Sequence, residues 1–194
     1  AGTLPAELHK LWRASLPGNY HMEYGYSCMG YEVAGGLGVK MARPEQEPIV
    51  MVGDGSYMMA NSELATSVML GQKIIVVILD NRGYGCIQRL QTATGSPAFN
   101  NLLDDCVPDG GERSTIDFAM HARAMGADAV MLGSTLARAT DAPGGGWHWG
   151  AEAVHPELPR GRRVWVGTNA SMSQVLTGPS ESADGTSNLV GALR

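Results

Sequence analysis

A chain of 194 residues with 44% hydrophobic and 17% charged side chains suffices for one domain with a sizeable core, or one domain and a tail. This composition excludes a disordered chain, and 26 glycines without a G-X-Y period exclude collagen and imply tight turns or close backbone approaches. A net charge of −5 argues against a general nucleic-acid binder, and no apolar run of about 18 residues is present to span a membrane.

Pro5–Leu16 reads as a short helix, with Leu8, Leu11 and Trp12 on one face and Pro5 in its first turn. His21–Gly30 is aromatic and broken by glycine, and reads as a strand running into a loop. Tyr31–Ala42 reads as a helix whose Ala34, Gly35, Gly36 and Gly38 imply close packing against another backbone. Pro48–Val52 is a short apolar run, typical of a buried parallel strand, and leads into the loop Gly53–Ser56. The next helix spans Asn61–Leu70, with Asn61 as N-cap and Gly71 as C-cap residue. Lys73–Leu79 is the clearest strand, mostly β-branched, without alternation and read as buried, followed by the loop Asp80–Gly85. A helix from Ser114 to about Met125 and a third strand over Ala127–Leu132 complete the pattern.

Strands alternating with helices predict an α/β domain with a parallel sheet, over residues 1–132. Right-handed crossovers put both strand-end loops on the carboxyl edge, where such sheets bind ligands. Residues 133–194 lack Lys, Tyr and Phe but hold three of the four Trp, and are expected to be largely irregular. Only Arg163–Val166 there resembles a strand.

The two loops carry the chemistry. Asp54 follows a strand between two glycines that admit a ligand close to the backbone, and Ser56 stands near a helix start suited to a phosphate. Asn81 offers an amide oxygen after the next strand, and Gly83 can present its carbonyl. These are hard oxygen ligands with one charge among them, which suits Mg²⁺ shared with a diphosphate. A dinucleotide fingerprint fails because Met58 replaces its third glycine, and no Walker A sequence is present.

Gly53-Asp54-Gly55 followed after 25 residues by Asn81 resembles the cofactor motif of the thiamine-diphosphate enzymes related to pyruvate decarboxylase and acetolactate synthase. Glu7–Trp12, Glu23–Glu32 and Val52–Tyr57 extend the resemblance toward members that hydrolyse a C–C bond of a cyclic 1,2-diketone in inositol catabolism. The resemblance implies the three-layer thiamine-diphosphate-binding fold and the cofactors thiamine diphosphate and Mg²⁺. It assigns Asp54, Asn81 and the Gly83 carbonyl to the metal. Gly53, Gly55 and Ser56 fall to the diphosphate turn, and Ser27, Cys28 and Met29 to the segment beside the aminopyrimidine, with Met29 as the apolar wedge that bends the cofactor.

In that family a Glu from a pyrimidine-binding domain of a partner subunit activates the cofactor. Glu23, Glu32 and Glu63 lie in the wrong motif contexts for that role, so no catalytic residue is named here. The chain is therefore expected to be a fragment, catalytically silent alone. The full-length protein is expected to be a cytoplasmic homo-oligomer acting on a small molecule, an expectation that the sparse cysteines Cys28, Cys86 and Cys106 also fit. A carboligase or decarboxylase of the acetolactate-synthase kind, and a non-catalytic phosphate- or nucleotide-binding module, are the alternatives. Cys28 and Cys86 lack an adjacent base and read as packing or backbone positions. His21 reads as loop, with a place in the substrate pocket as its alternative. Arg82 reads as an exposed loop residue, and His148 and His155 have no metal-ligand spacing.

Overall fold

The computed structural model describes residues 1–107, 111, 115–129, 140–141, 147–149, 163–165, 168 and 171. Two compact units are distinguished. The first comprises Ala1–Asp117 and Met125–Ala127, the second Phe118–Ala124 and Asp128–Arg194.

The first unit is built on a parallel pair, β1 (Ile49–Gly53) and β2 (Ile75–Leu79), in register from Ile49 opposite Ile75 to Gly53 opposite Leu79. Helices flank this pair: α1 (Thr3–Leu11), α2 (Tyr31–Ala42) and α3 (Asp54–Met59) all pack on β1. α4 (Ser62–Met69) packs on α2, and α5 (Gly85–Ala93) follows β2. The α/β reading with a parallel sheet flanked by helices holds. Val33, Leu37, Val50, Val52, Tyr57 and Leu64 form the core. Each such apolar side chain contributes on the order of 1.5–3 kcal/mol on burial.

The glycine-rich helix α2 has the predicted bounds, and one of its small residues, Gly36, has a clear packing function, whereas a Cβ at Gly38 would meet nothing within 4 Å. A Cβ on Gly36 would lie 2.2 Å from Val50 Cγ2, so the bare backbone is what lets α2 rest on β1. Gly36→Ala is expected to cost about 1–3 kcal/mol by overpacking, against a helix-propensity gain of about 1 kcal/mol. Urea unfolding of Gly36→Ala, Val50→Ala and the double variant checks this. The double variant should be more stable than the sum of the two losses allows, because each change relieves the other.

The ends of α4 separate two expectations. Gly71 has φ +63°, its N–H donates to the Val68 carbonyl at 3.1 Å, and the Gln72 N–H reaches Ser67 O at 2.9 Å. That is a Schellman closure, as the glycine predicted. Asn61 makes no side-chain cap. Its backbone is already helical, and its amide donates back to Met58 O at 3.1 Å, because α3 ends immediately before it.

Other expectations need correction. α1 stops at Leu11, since Trp12 is extended (ψ 133°). Further on, Leu16 precedes Pro17, which disfavours helix there. Leu11 is 74% exposed, so its shared apolar face is not a buried one. His21–Gly30 contains no strand. Gly53–Ser56 is not an open loop, because α3 starts at Asp54 itself. β2 is not fully buried. Its exposure alternates, with Ile75, Val77 and Leu79 each about two-fifths open, because one face of the strand is left uncovered.

The helix α5 and a 3₁₀ turn at Leu103–Cys106 were not anticipated. The spacing of Ile87 and Leu90 was the available signal for α5. In the second unit α6 spans Phe118–Ala124, beginning after Asp117 rather than at Ser114. The predicted third strand is absent over Ala127–Ala129, and its remainder lies outside the described residues. β3 (Trp147–Trp149) pairs antiparallel with β4 (Arg163–Trp165), Trp147 opposite Trp165. The second strand was anticipated and the first was not, because glycines precede and follow Trp147-His148-Trp149 and break the pattern around it. His155 lies outside the described residues.

Candidate functional site

The carboxyl ends of β1 and β2 lie side by side, with Gly53 opposite Leu79; β1 runs straight into α3, and β2 reaches α5 through the loop 80–84. A cavity of about 180 Å³ opens there. Ser27, Met29, Gly53, Asp54, Gly55, Ser56, Asn81 and Gly83 all line it. Cys28 does not. It is exposed, and its backbone N–H donates to Glu23 Oε2 at 2.7 Å.

Asp54 is the first residue of α3 and only 4% exposed. Its Oδ2 accepts the Gly83 N–H at 2.6 Å and its Oδ1 the Asn81 N–H at 3.3 Å, so one carboxylate ties the two strand ends together. Burial pushes the Asp54 carboxyl above its ordinary value. The Gly83 and Asn81 N–H groups oppose that rise, and neighbouring Asp80 adds to it. A dication at this place would reverse the balance, since it favours the ionised form.

The side-chain amide of Asn81 completes the group. Its terminal atom lies 2.7 Å from the Gly83 carbonyl oxygen and 3.2 Å from Asp54 Oδ1. With the amide nitrogen turned inward it donates to both. With the oxygen turned inward, three oxygens face one another with no proton between them. Adjacent ligands of an octahedral ion with bonds of 2.0–2.1 Å lie roughly 3 Å apart, so this donor set fits Mg²⁺. No group of three or more His, Cys, Asp or Glu that could hold a metal occurs among the described residues. A site here would depend on amide and main-chain oxygens.

Other residues of the lining suit an anion. Gly55 and Ser56 stand in the first turn of α3, where N–H groups have no acceptor within the helix. Gly85 and Cys86 open α5 on the same cavity. Ser56 is 3% exposed, and its hydroxyl has no hydrogen-bond partner among the described residues. Gly55 is required sterically, because a Cβ there would meet the Tyr84 ring at 2.6 Å.

Ser27 reaches the cavity from a tight turn at φ +54°. Glu23 holds that turn by accepting the Tyr26 N–H at 2.8 Å and the Cys28 N–H at 2.7 Å. These two bonds, Tyr26 foremost, keep the Glu23 carboxyl below its ordinary 4.5. Its contribution to stability is therefore complete above pH 4.5 and is lost as pH falls through the lowered value. Thermal melts of Glu23→Gln should show a deficit against the parent chain at about pH 7 that closes as the pH falls through the lowered carboxyl value. A gap independent of pH would remove the role assigned to the carboxylate.

The remaining candidates separate cleanly. His21 does not line this cavity. Its Nε2 lies 2.8 Å from Tyr31 Oη, and it borders a second hollow of about 520 Å³ beside α1 and β1. Glu23 and Glu32 border that second hollow as well. Glu63 is half-buried in the first turn of α4. Cys86 lines the first cavity, as do Tyr84 and Gly85 from the predicted loop and Ile87 and Leu90, which sequence reasoning left out together with α5. Arg82 is not a free loop residue, since Nη2 donates to Asp104 Oδ1 at 2.9 Å. Among the described residues no helix is long and apolar enough to cross a membrane.

Comparison with known proteins gives these residues a family context. Residues 1–142 match the family described as thiamine pyrophosphate enzyme, C-terminal TPP binding domain. The chain is 48% identical over 130 residues to 3D-(3,5/4)-trihydroxycyclohexane-1,2-dione hydrolase 2 of Bacillus cereus (strain ZK), covering 65% of this chain and 20% of the relative. It is 56% identical over 99 residues to the corresponding hydrolase of Bacillus thuringiensis (strain Al Hakam), covering 51% and 15%. Among solved structures, a thiamine diphosphate-dependent 4-hydroxybenzoylformate decarboxylase of Rhodococcus jostii RHA1 matches with 21% identity and a TM-score of 0.43, over 50% of this chain and 17% of that one. The chain thus spans about 15–20% of the length of the curated relatives it matches.

Proposed function

The chain belongs to the thiamine pyrophosphate enzyme family, of which it carries the C-terminal TPP-binding domain, and on that premise we propose that the Asp54 cavity holds thiamine diphosphate through Mg²⁺. Asp54 and Asn81 offer side-chain oxygens to the ion and Gly83 its carbonyl. Gly53, Gly55 and Ser56 receive the diphosphate, with the unpartnered Ser56 hydroxyl and the first-turn N–H groups as donors. The segment Ser27-Cys28-Met29 runs beside the aminopyrimidine, with Ser27 and Met29 in the cavity wall and Cys28 outside it, and Met29 offers an apolar surface that fixes the orientation. The bound cofactor supplies an electron sink for chemistry at a substrate carbonyl. The residues of this chain bind it, orient it and exclude water from its charged end. The convergence of the Asp54 carboxylate, the Asn81 side-chain amide and the Gly83 carbonyl on one wall of the cavity carries this reading.

For the whole protein the reaction is hydrolysis of a C–C bond in a cyclic 1,2-diketone of inositol catabolism. Both Bacillus relatives are named as hydrolases of a trihydroxycyclohexane-1,2-dione, which supports that reaction class. Residues 1–132 contribute the cofactor-binding domain to it and residues 133–194 a divergent tail. A pyrimidine-binding domain of a partner subunit supplies the activating Glu, in a cytoplasmic homo-oligomer. The isolated chain binds cofactor but does not turn over substrate.

Calorimetric titration with thiamine diphosphate, with and without Mg²⁺ and in the presence of excess ATP, tests the site. Uptake that needs Mg²⁺ and is indifferent to ATP supports it. No uptake, or displacement by ATP, overturns it, the latter in favour of a nucleotide-binding module. Turnover of the diketone by the 194-residue chain alone would overturn the assignment of the activating group to another domain.

A further inference from the structure

The loop that carries Asn81 and Gly83 is gripped by a segment further along the chain, Asn100–Asp104. We propose that this segment is a strap that sets the direction of the Gly83 carbonyl, with Arg82 and Asp104 as positioning residues for the divalent cation. The inference rests on the cation reading given above and extends it to residues that touch neither metal nor cofactor.

Both peptides flanking Gly83 are tied to the strap. The Leu103 N–H donates to the Arg82 carbonyl at 2.9 Å, and the Tyr84 N–H donates to the Asn101 carbonyl at 2.7 Å. An isolated antiparallel bridge joins Gly83 to Leu102. The guanidinium of Arg82 donates to Asp104 Oδ1 through Nη2 at 2.9 Å and Nε at 3.3 Å. Both side chains of this pair are sheltered, 18% and 31% exposed. The strap is itself fastened to α5, because the Asn101 amide donates to Gln88 Oε1 at 3.1 Å and to Gln91 Oε1 at 2.5 Å.

The grip is needed because the loop is strained. Arg82 has φ +63° and Gly83 φ +130°, two successive residues in a region that L side chains avoid. The Asp80 carboxylate helps from within the loop by accepting the Arg82 N–H at 2.7 Å. That local bond fixes the peptide before Arg82. The peptide that carries the Gly83 carbonyl is held instead by its Tyr84 N–H, on the strap. Without the Arg82–Asp104 pair the strap loses its side-chain fastening to the loop, and the Gly83 carbonyl is held less firmly by the backbone bonds that remain.

The two alkaline-earth ions distinguish positioning from simple structural support. Mg²⁺ demands a near-ideal octahedron at roughly 2.0–2.1 Å, whereas Ca²⁺ accepts about six to eight oxygens at roughly 2.3–2.6 Å in flexible arrangements. A carbonyl that wanders therefore harms Mg²⁺ binding far more than Ca²⁺ binding. The experiment is calorimetric titration of the 194-residue chain with Mg²⁺ and with Ca²⁺, each in excess thiamine diphosphate. Asp104→Asn should weaken Mg²⁺ about tenfold, as removal of a residue behind a metal ligand commonly does, and Ca²⁺ by no more than about threefold. The exchanged pair Arg82→Asp with Asp104→Arg should recover part of the loss. If Asp104→Asn does not fold, Arg82→Asn removes the same pair while keeping a residue that tolerates the left-handed backbone, and the same Mg²⁺-specific loss is expected. Equal weakening of both ions, or an unchanged Mg²⁺ affinity, overturns the strap. A parent chain that takes up neither ion overturns the cation reading itself, and the strap with it.

Discussion

Asp54→Ala is expected to abolish Mg²⁺-dependent binding of thiamine diphosphate, a loss of roughly a hundredfold or more in affinity, equivalent to about 2.8 kcal/mol. The size of the effect follows from the position of the carboxylate. Asp54 is the one charged group among the three converging oxygens, and its two oxygens also hold the Gly83 and Asn81 N–H groups. Removing it takes away the charge and frees both companions at once. The apo chain should remain folded but lose about 1–3 kcal/mol, the cost of leaving buried N–H groups without acceptors. Calorimetry with and without Mg²⁺ measures the first effect and urea unfolding the second. Asp54→Asn, which keeps an oxygen and most of the shape, should recover stability before it recovers Mg²⁺ binding. Unchanged binding in Asp54→Ala would refute the site.

Gly83→Ala should be the most damaging single-methyl change in the loop. The added Cβ would lie 2.5 Å from Asn101 O and 2.9 Å from Leu102 Cα. Both are backbone atoms, so no side-chain rotation relieves the contact. The φ of +130° adds a conformational penalty on the order of 1–3 kcal/mol. The loop must move, the bridge to Leu102 must break, and the Gly83 carbonyl must leave its place beside the Asn81 amide. We expect a stability loss of about 2–4 kcal/mol, combining that penalty with the overpacking cost. Mg²⁺-dependent cofactor uptake should be lost as well. Gly53→Ala is the control. A Cβ at Gly53 meets nothing within 4 Å, and its φ of −75° is open to any residue. Equal stability losses at the two glycines would show that the strap does not crowd Gly83.

Most of the cavity wall is legible in the amino-acid sequence, because its parts sit in short motifs at fixed distances from two apolar strands. Gly53-Asp54-Gly55-Ser56 and Asn81–Gly83 are each contiguous, so placing one residue places the others. The far side of the cavity was not legible. Tyr84, Ile87 and Leu90 reach it only because α5 starts at once after the loop. Gly85 and Tyr84 read as turn residues, and they hid a helix whose apolar positions are too few to declare it. Cys28 shows the opposite failure. It lies inside the motif that carries Ser27 and Met29, yet the turn held by Glu23 points its neighbours inward and leaves Cys28 exposed.

Local rules settled what depends on neighbours a few positions away. The Gly71 closure of α4, the bounds of α2 and the two parallel strands follow from residue type and spacing alone, since their hydrogen bonds form within a turn or along one apolar run. Burial did not follow. The uninterrupted apolar run of β2 implied two covered faces, and the structure leaves Ile75, Val77 and Leu79 partly open. Coverage depends on which surfaces meet, and a strand's own residues do not encode that. The same holds for the grip on Gly83. Arg82 and Asp104 are 22 residues apart with no periodicity between them, and only the folded chain brings the guanidinium to the carboxylate and turns an ordinary loop arginine into an anchor.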